Sequence, residues 1–87
     1  MKIVRITSLW CVSCLVMQKV WQKVFSEVED LEIIDYDYDE DFDKIKDLEI
    51  GSTLPVLIVY IDNQEKTRII GEKRYKELIK IFEDLTR

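Results

Sequence analysis

Ser8-Leu9-Trp10-Cys11-Val12-Ser13-Cys14 (SLWCVSC) holds both cysteines of an 87-residue chain, separated by two residues and close to its start. Such a pair can be a redox couple, half of a metal site, or two neighbouring apolar side chains in a core. The rest of the sequence has to distinguish these three possibilities.

The residues on either side of this stretch predict a strand, a helix and a second strand. Lys2–Thr7 is rich in β-branched residues, which favours a strand. After Cys11, apolar side chains recur at spacings of three and four, a pattern typical of an amphipathic helix, which should fade near Glu29 and Asp30. Residues 31–35 then favour a second strand, parallel to the first after a helical crossover.

An acidic run and a short helix are predicted next. Residues 39–49 carry three apolar side chains at a spacing of three, consistent with a helix over one sheet face. The three are Phe42, Ile45 and Leu48. We expect Asp39 or Asp41 to cap this helix. Residues 35–41 do not fit an EF-hand loop, which needs Gly at its sixth position and Glu at its twelfth, so we interpret them as a solvated loop.

The remaining residues predict a hairpin and a closing helix. Residues 56–61 are the most apolar run and favour a central strand, followed by a turn at 62–65 and an antiparallel strand over 66–70. Gly71 ends that strand, and the closing helix has one apolar face. Its members are Tyr75, Leu78, Ile79, Phe82 and Leu85.

The resulting order is βαβαββα, without a linker, repeat or low-complexity segment. Four strands and three helices fit one mixed sheet covered on both faces, so we predict an α/β protein with a single domain over residues 1–87. The chain is 47% hydrophobic, and a domain of this size buries roughly 60% of the surface that its unfolded form exposes. A core of that size needs neither a structural disulfide nor a structural metal.

The composition limits which partners we expect the protein to bind and which compartment we expect it to occupy. The net charge of −5 at pH 7 argues against nucleic-acid binding, because affinity for phosphate backbones comes mainly from basic surface. No apolar run approaches the ~18 residues of a membrane span, and a strand follows Met1 directly, without a leader pattern. We therefore expect a cytoplasmic, monomeric protein that binds neither nucleic acid nor membrane. In the cytoplasm, a lone CxxC is more often catalytic or metal-binding than structural.

A metal site is the weaker of those two alternatives. Zinc and iron–sulfur sites need about four ligands, whereas one CxxC supplies two and the sequence contains no histidine. We therefore expect no metal and no cofactor other than a redox-active disulfide.

The position of Cys11 favours nucleophilic chemistry. It falls in the turn that leaves the first strand, at the predicted start of the first helix. A helix N-terminus carries about half a positive charge, which favours a thiolate, and cysteines there have pKa values well below ~8.5. Cys14 would lie one turn further on the same side. We assign Cys11 as the exposed nucleophile and Cys14 as the buried resolving thiol.

Three features together resemble a known family. Trp10-Cys11-Val12-Ser13-Cys14 follows the first strand, Thr53-Leu54-Pro55 precedes the third, and Gly71 follows the fourth. Over essentially its whole length, the chain resembles a minimal thioredoxin-fold protein of the thioredoxin/glutaredoxin superfamily. The resemblance implies the thioredoxin fold, with a four-stranded mixed sheet flanked by three helices.

The resemblance also implies a substrate groove and a reaction. The Leu54–Pro55 bond should be cis, the Leu54 backbone should pair with an extended substrate, and Gly71 should let that substrate pass close to Cys11. The expected substrate-binding residues are Trp10, Val12, Thr53, Leu54, Pro55 and Gly71, with Ile70 and the side chain of Leu54 completing an apolar rim. The Cys11 thiolate would attack a protein disulfide, Cys14 would release the reduced substrate, and an unidentified reductase or thiol donor would regenerate the pair.

This sequence departs from the family's pattern in several places, which limits the family properties that we expect of this protein. Arg5 stands six positions before Cys11, where thioredoxins usually carry an acid that helps to deprotonate the resolving thiol. Water or a surface carboxylate would have to replace that acid. Val-Ser lies between the cysteines, and Gly71 is a single glycine where glutaredoxins hold glutathione with a pair. We therefore expect direct reaction with protein disulfides. A non-catalytic binding module that uses the Leu54–Pro55 groove and a redox sensor stay open as alternatives.

Overall fold

A computed structural model describes residues 1–86 as one four-stranded sheet with helices on both faces. The strands are β1 (Lys2–Thr7), β2 (Glu32–Asp37), β3 (Val56–Ile61) and β4 (Gln64–Ile70), and the helices are α1 (Val12–Ser26), α2 (Phe42–Ile45) and α3 (Tyr75–Leu85). A 3₁₀ turn, Lys46–Leu48, continues α2. The strand order is β2-β1-β3-β4, with β1 parallel to β2 and β3 antiparallel to both neighbours. The predicted fold class is confirmed. None of these helices is long and apolar enough to span a membrane.

One face of the sheet packs against α1 and α3. Successive side chains of a strand point to opposite faces, so Ile3 of β1 and Leu57 of β3 enter this layer. There they join a buried cluster with Trp21 of α1 and Phe82 of α3. The prediction that Trp21 belongs to the core is confirmed.

The opposite face of the sheet contains the second cysteine. Ile6 of β1 packs there with Ile45 of α2 and with Leu54, which precedes β3. Cys14 belongs to the same buried cluster. Cys14, in the first turn of α1, therefore packs in this cluster. The later buried residues of α1 pack against the other face of the sheet.

The predicted boundaries were wrong at two places. The helix α1 ends at Ser26 rather than near residue 30, where Asp30 has a φ of 54° that a right-handed helix cannot contain. The strand β4 begins at Gln64, because the hairpin turn consists only of Asp62 and Asn63, whose φ values are 53° and 65°. Two positive φ angles match the twist of a two-residue hairpin.

The segment around α2 also differs from the prediction. Phe42 is 53% exposed, so the predicted apolar face is only partly covered. Asp41 is the residue before α2, but its carboxylate accepts a hydrogen bond from the backbone N–H of Asp37 at 2.8 Å and makes none to the helix. The Asp37 carboxylate accepts in turn from the N–H groups of Asp39 and Glu40. The acidic run therefore forms a turn held by hydrogen bonds among its own residues, and its carboxylates do not cap α2.

Tyr75 links the start of α3 to the end of α1. Its hydroxyl donates a hydrogen bond to the Glu27 carboxylate, and the Lys23 ammonium lies 4.2 Å from the centre of its ring. That hydrogen bond raises the pKa of Tyr75, and burial and the Glu27 charge act in the same direction. A group whose pKa is raised on folding contributes stability that is complete below its unfolded pKa, about 10 for tyrosine, and is lost as the pH rises through its folded pKa.

We therefore expect Tyr75→Phe to melt below the parent at about pH 8 and this difference to shrink above about pH 10. The effect should be small because the pair is exposed to solvent. Thermal melts followed by circular dichroism at both pH values measure it. Tyr60→Phe is a matched control, since its hydroxyl bonds to no residue within 1–86. The same difference at every pH would contradict this interpretation.

Candidate active site

Both cysteines lie at the start of α1. Cys11 is the N-cap, with extended backbone (φ −92°, ψ 106°), and its Sγ accepts a hydrogen bond from the backbone N–H of Cys14 at 3.0 Å. The two Cα atoms are 5.3 Å apart and the sulfur atoms are joined in a disulfide. Within residues 1–86, no cluster of three or more Cys, Asp or Glu side chains is placed to hold a metal ion.

Burial and electrostatics give the two sulfur atoms different roles. Cys11 is partly exposed, whereas Cys14 is 3% exposed. In the reduced protein, the Cys14 N–H and the positive end of α1 favour a thiolate on Cys11. The first turn of α1 has no acidic residue that would oppose this effect. Only Cys11 is therefore placed to meet a disulfide of another molecule.

The loop before β3 meets the end of β4 close to the cysteine pair. The Leu54–Pro55 peptide bond is cis, and the Leu54 side chain is buried in the cluster that contains Cys14. The Gly71 N–H donates to the Pro55 carbonyl at 2.8 Å, which joins the two loops. Gly71 has a φ of 80°, which favours glycine; a Cβ there would meet only the Thr53 Cγ2, at 3.9 Å. Its backbone angle, rather than a lack of space, requires glycine.

Most of the predicted apolar rim is on the surface. Trp10, Val12 and Ile70 are all at least half exposed. The side chain of Leu54 is not part of that rim, because it is directed into the core, so only its backbone can face a substrate. The exposed residues Leu9, Leu15 and Val16 extend the apolar surface beyond the predicted rim. The sequence carried a signal for them, since all three lie in or next to the CxxC stretch.

Arg5 has a structural role in this protein. Its guanidinium forms a two-pronged ion pair with Asp35 of β2, at 2.5 and 3.0 Å, and lies 5.1 Å from the centre of the Trp21 ring. The arginine therefore fixes β1 to β2 and covers the core. It cannot replace the carboxylate that thioredoxins usually carry at this position.

Two surface carboxylates that no sequence pattern marked contact the CxxC stretch. Glu72 accepts a hydrogen bond from the Ser13 hydroxyl at 2.8 Å, and Asp39 accepts one from the Trp10 indole N–H at 2.6 Å. The Trp10 ring also makes an edge-on contact with Tyr38, with centroids 6.0 Å apart. Both carboxylates place negative charge beside the start of α1, where it opposes formation of the thiolate.

Removing the charge of Glu72 should therefore make reduced Cys11 more reactive. We expect Glu72→Gln to alkylate about two- to threefold faster with iodoacetamide near neutral pH, because a surface charge at this range contributes about 0.5 kcal/mol. The gain should diminish in high salt. Glu83→Gln, on the exposed side of α3, is the control. An unchanged or slower alkylation rate would show that Glu72 exerts no such effect.

Fold and site together define a small protein with a redox-active cysteine pair on a thioredoxin scaffold. The thioredoxin family model matches residues 1–84, and the chain belongs to the thioredoxin family. Family membership and the Cys11–Cys14 pair support thiol–disulfide oxidoreductase activity in general. A comparison with curated proteins found no match.

Solved thioredoxin structures are similar over nearly the whole chain. Oxidised mitochondrial thioredoxin 3 from Saccharomyces cerevisiae is 26% identical, with a TM-score of 0.83 over 95% of this chain and 76% of that one. Thioredoxin from Trypanosoma brucei brucei is 18% identical, with a TM-score of 0.86 over 98% and 74%. A chain from the complex of ferredoxin:thioredoxin reductase with thioredoxin f2 is 20% identical, with a TM-score of 0.84 over 99% and 77%. The last two, below 25% identity, support the fold alone.

Proposed function

We propose that this protein reduces disulfides of other proteins by dithiol exchange, with Cys11 as the nucleophile and Cys14 as the resolving thiol. The observation that carries the proposal is the contrast between a partly exposed Cys11 at a helix N-terminus and a buried Cys14 bonded to it. A purely structural disulfide between residues three positions apart would close a very short loop. It would add little stability to a domain that already has a hydrophobic core.

The reaction transfers two electrons to the substrate in two exchanges. The Cys11 thiolate attacks one sulfur of a substrate disulfide, a mixed disulfide forms, and the second substrate sulfur leaves as a thiolate. Cys14 then loses its proton and attacks the Cys11 Sγ, which releases the substrate as a dithiol and forms the Cys11–Cys14 disulfide. A reductase or thiol donor then returns two electrons and two protons to the pair.

The surface beside Cys11 suits an extended substrate segment. No residue within 1–86 forms a hydrogen bond to the N–H or C=O of Leu54, so both groups are free to pair with a substrate backbone. Thr53 and Gly71 lie next to this position. The exposed side chains of Trp10 and Val12 would contact the substrate around its disulfide.

The expected partners are disulfide-bearing proteins and one reductant. Membership of the thioredoxin family supports a reductase or thiol donor as the second partner. We further propose that the protein acts as a cytoplasmic monomer, without metal or cofactor, because a reductant of this type needs a compartment that keeps thiols reduced.

Trapping with Cys14→Ser tests this proposal. The reduced variant should form a stable mixed disulfide between Cys11 and a protein such as insulin, because no second thiol is present to release it. Non-reducing electrophoresis and mass spectrometry detect the adduct, which dithiothreitol should dissolve. The Cys11→Ser, Cys14→Ser double variant is the control and should give none. If the single variant formed no adduct although its Cys11 still alkylated, the proposed exchange would be wrong.

A further inference from the structure

A cavity of about 300 Å³ opens beside the cysteine pair, and neither the Thr53–Pro55 loop nor Gly71 contributes to it. Its lining comes from the end of β1, the loop between β1 and α1, the first half of α1 and the last residue of β2. Its lining includes Ser8, Leu9, Trp10, Cys11, Leu15 and Asp37. Because Cys11 borders this cavity, a molecule joined to Cys11 by a mixed disulfide can place a neighbouring side chain in it.

Two side-chain oxygen atoms of the lining residues accept no hydrogen bond from residues 1–86, one sealed from solvent and one on a partly exposed residue. Ser8 is 9% exposed, and its hydroxyl oxygen is buried without a hydrogen-bond partner within residues 1–86. The Asp37 carboxylate accepts both of its hydrogen bonds, from the Asp39 and Glu40 N–H groups, on Oδ2. Its Oδ1 receives none from the described residues. The Ser8 oxygen has almost no accessible surface, whereas Asp37 is only partly buried, so its Oδ1 is free to accept a hydrogen bond from a side chain that enters the cavity.

The charge around the cavity is negative and uncompensated. Neither Asp37 nor Asp39 forms an ion pair with any lysine or arginine of residues 1–86. Asp39 instead accepts from the neutral Trp10 indole. Electrostatic complementarity therefore favours a positively charged side chain in this cavity.

The walls of the cavity are apolar. Leu9 is 98% exposed and Leu15 is 73% exposed, and the Trp10 ring stands beside them. Lysine and arginine are the side chains that combine an apolar stem with a cationic head, and both are attracted to the face of a tryptophan. An acidic side chain would be repelled by Asp37 and Asp39, and a purely apolar one would gain nothing from their charge.

We propose that this cavity is a specificity subsite that takes a lysine or arginine side chain next to the reactive cysteine of a protein substrate. The Leu9 and Leu15 side chains contact its stem, and the Asp37 carboxylate accepts a hydrogen bond from its head. This inference rests on the proposed disulfide exchange. It adds a preference for basic sequence around the substrate disulfide, which the Leu54 backbone cannot provide because main-chain pairing is tolerant of sequence.

Rates with matched peptides test the subsite. The substrates are disulfide-linked dimers of one short peptide whose single cysteine is flanked on both sides by arginine, glutamine or glutamate. The reduced protein should react with the arginine peptide on the order of tenfold faster than with the glutamine peptide at low salt, and slowest with the glutamate peptide. The preference should shrink at about 0.5 M salt.

Two variants test whether the Asp37 charge causes the preference for the arginine peptide. Asp37→Asn keeps an oxygen for the Asp39 and Glu40 N–H groups but removes the charge, and it should abolish most of the preference for arginine. Asp84→Asn, on the exposed side of α3, should retain it. Equal rates with all three peptides, or an undiminished arginine preference in Asp37→Asn, would overturn the subsite and leave the exchange reaction intact. Failure of the parent protein to reduce any peptide would overturn both proposals.

Discussion

Replacing Cys11 by serine should reduce the disulfide-reductase activity to the uncatalysed background. Cys11 is the accessible sulfur of the pair, and its position at the start of α1 favours the thiolate that the proposed exchange requires. A serine hydroxyl in the same place stays protonated at neutral pH, and within residues 1–86 no carboxylate is hydrogen-bonded at this position to activate it. The reduction of insulin with dithiothreitol as electron donor, followed by turbidity, measures the loss.

The controls for this experiment have to distinguish a loss of reactivity from a loss of folding. Ser26→Ala, at the other end of α1, should keep full activity. The far-ultraviolet circular dichroism of Cys11→Ser should match that of the reduced parent protein. Full turnover by Cys11→Ser would contradict the assignment of Cys11 as nucleophile.

Truncating Trp21 to alanine should cost about 3–5 kcal/mol of folding stability, because it leaves a cavity in the core. Trp21 is 1% exposed, packs with Ile3 and Phe82, and lies under the Arg5 guanidinium. Such a loss is a large share of the roughly 5–15 kcal/mol typical of a small domain. Urea unfolding followed by circular dichroism at about 25 °C gives the free-energy difference.

Gln22→Ala, the exposed neighbour on α1, is the matched control and should change the free energy of unfolding by at most about 0.5 kcal/mol. If Trp21→Ala is unfolded without urea, Trp21→Phe provides the measurement, since it keeps much of the ring and should lose less. A loss below about 1 kcal/mol in Trp21→Ala would show that this side chain does not hold the core together.

The sequence predicted the order of strands and helices well because each has a clear apolar pattern. The β-branched run of β1, the 3.6-residue period of α1 and the apolar run of β3 all appear where expected. The errors occur where the backbone turns into the left-handed region at Asp30, Asp62 and Asn63, since these residue types are common in solvated segments of any conformation. The spacing of the apolar residues also could not predict the exposure of Phe42, which depends on how its segment packs against the sheet.

The site was predictable where its residues are close in sequence or belong to a known motif. The CxxC spacing located both sulfur atoms, and the helix start predicted which of them is exposed. The contacts of Ser13 with Glu72 and of Trp10 with Asp39 span 59 and 29 residues. No local pattern marks such pairs, because either partner alone is an ordinary polar surface residue. The unpartnered Ser8 hydroxyl is likewise visible only once its surroundings are known.

The measurement that tests the central claim most directly is the redox titration of Cys11 and Cys14. The protein is equilibrated in graded dithiothreitol buffers, and its free thiols are counted by alkylation and mass. If the protein reduces other proteins through this pair, both thiols should titrate together as one two-electron couple with a midpoint near about −270 mV. A midpoint near about −120 mV would contradict the role as a reductant, and failure to form the disulfide at any potential would contradict redox function altogether.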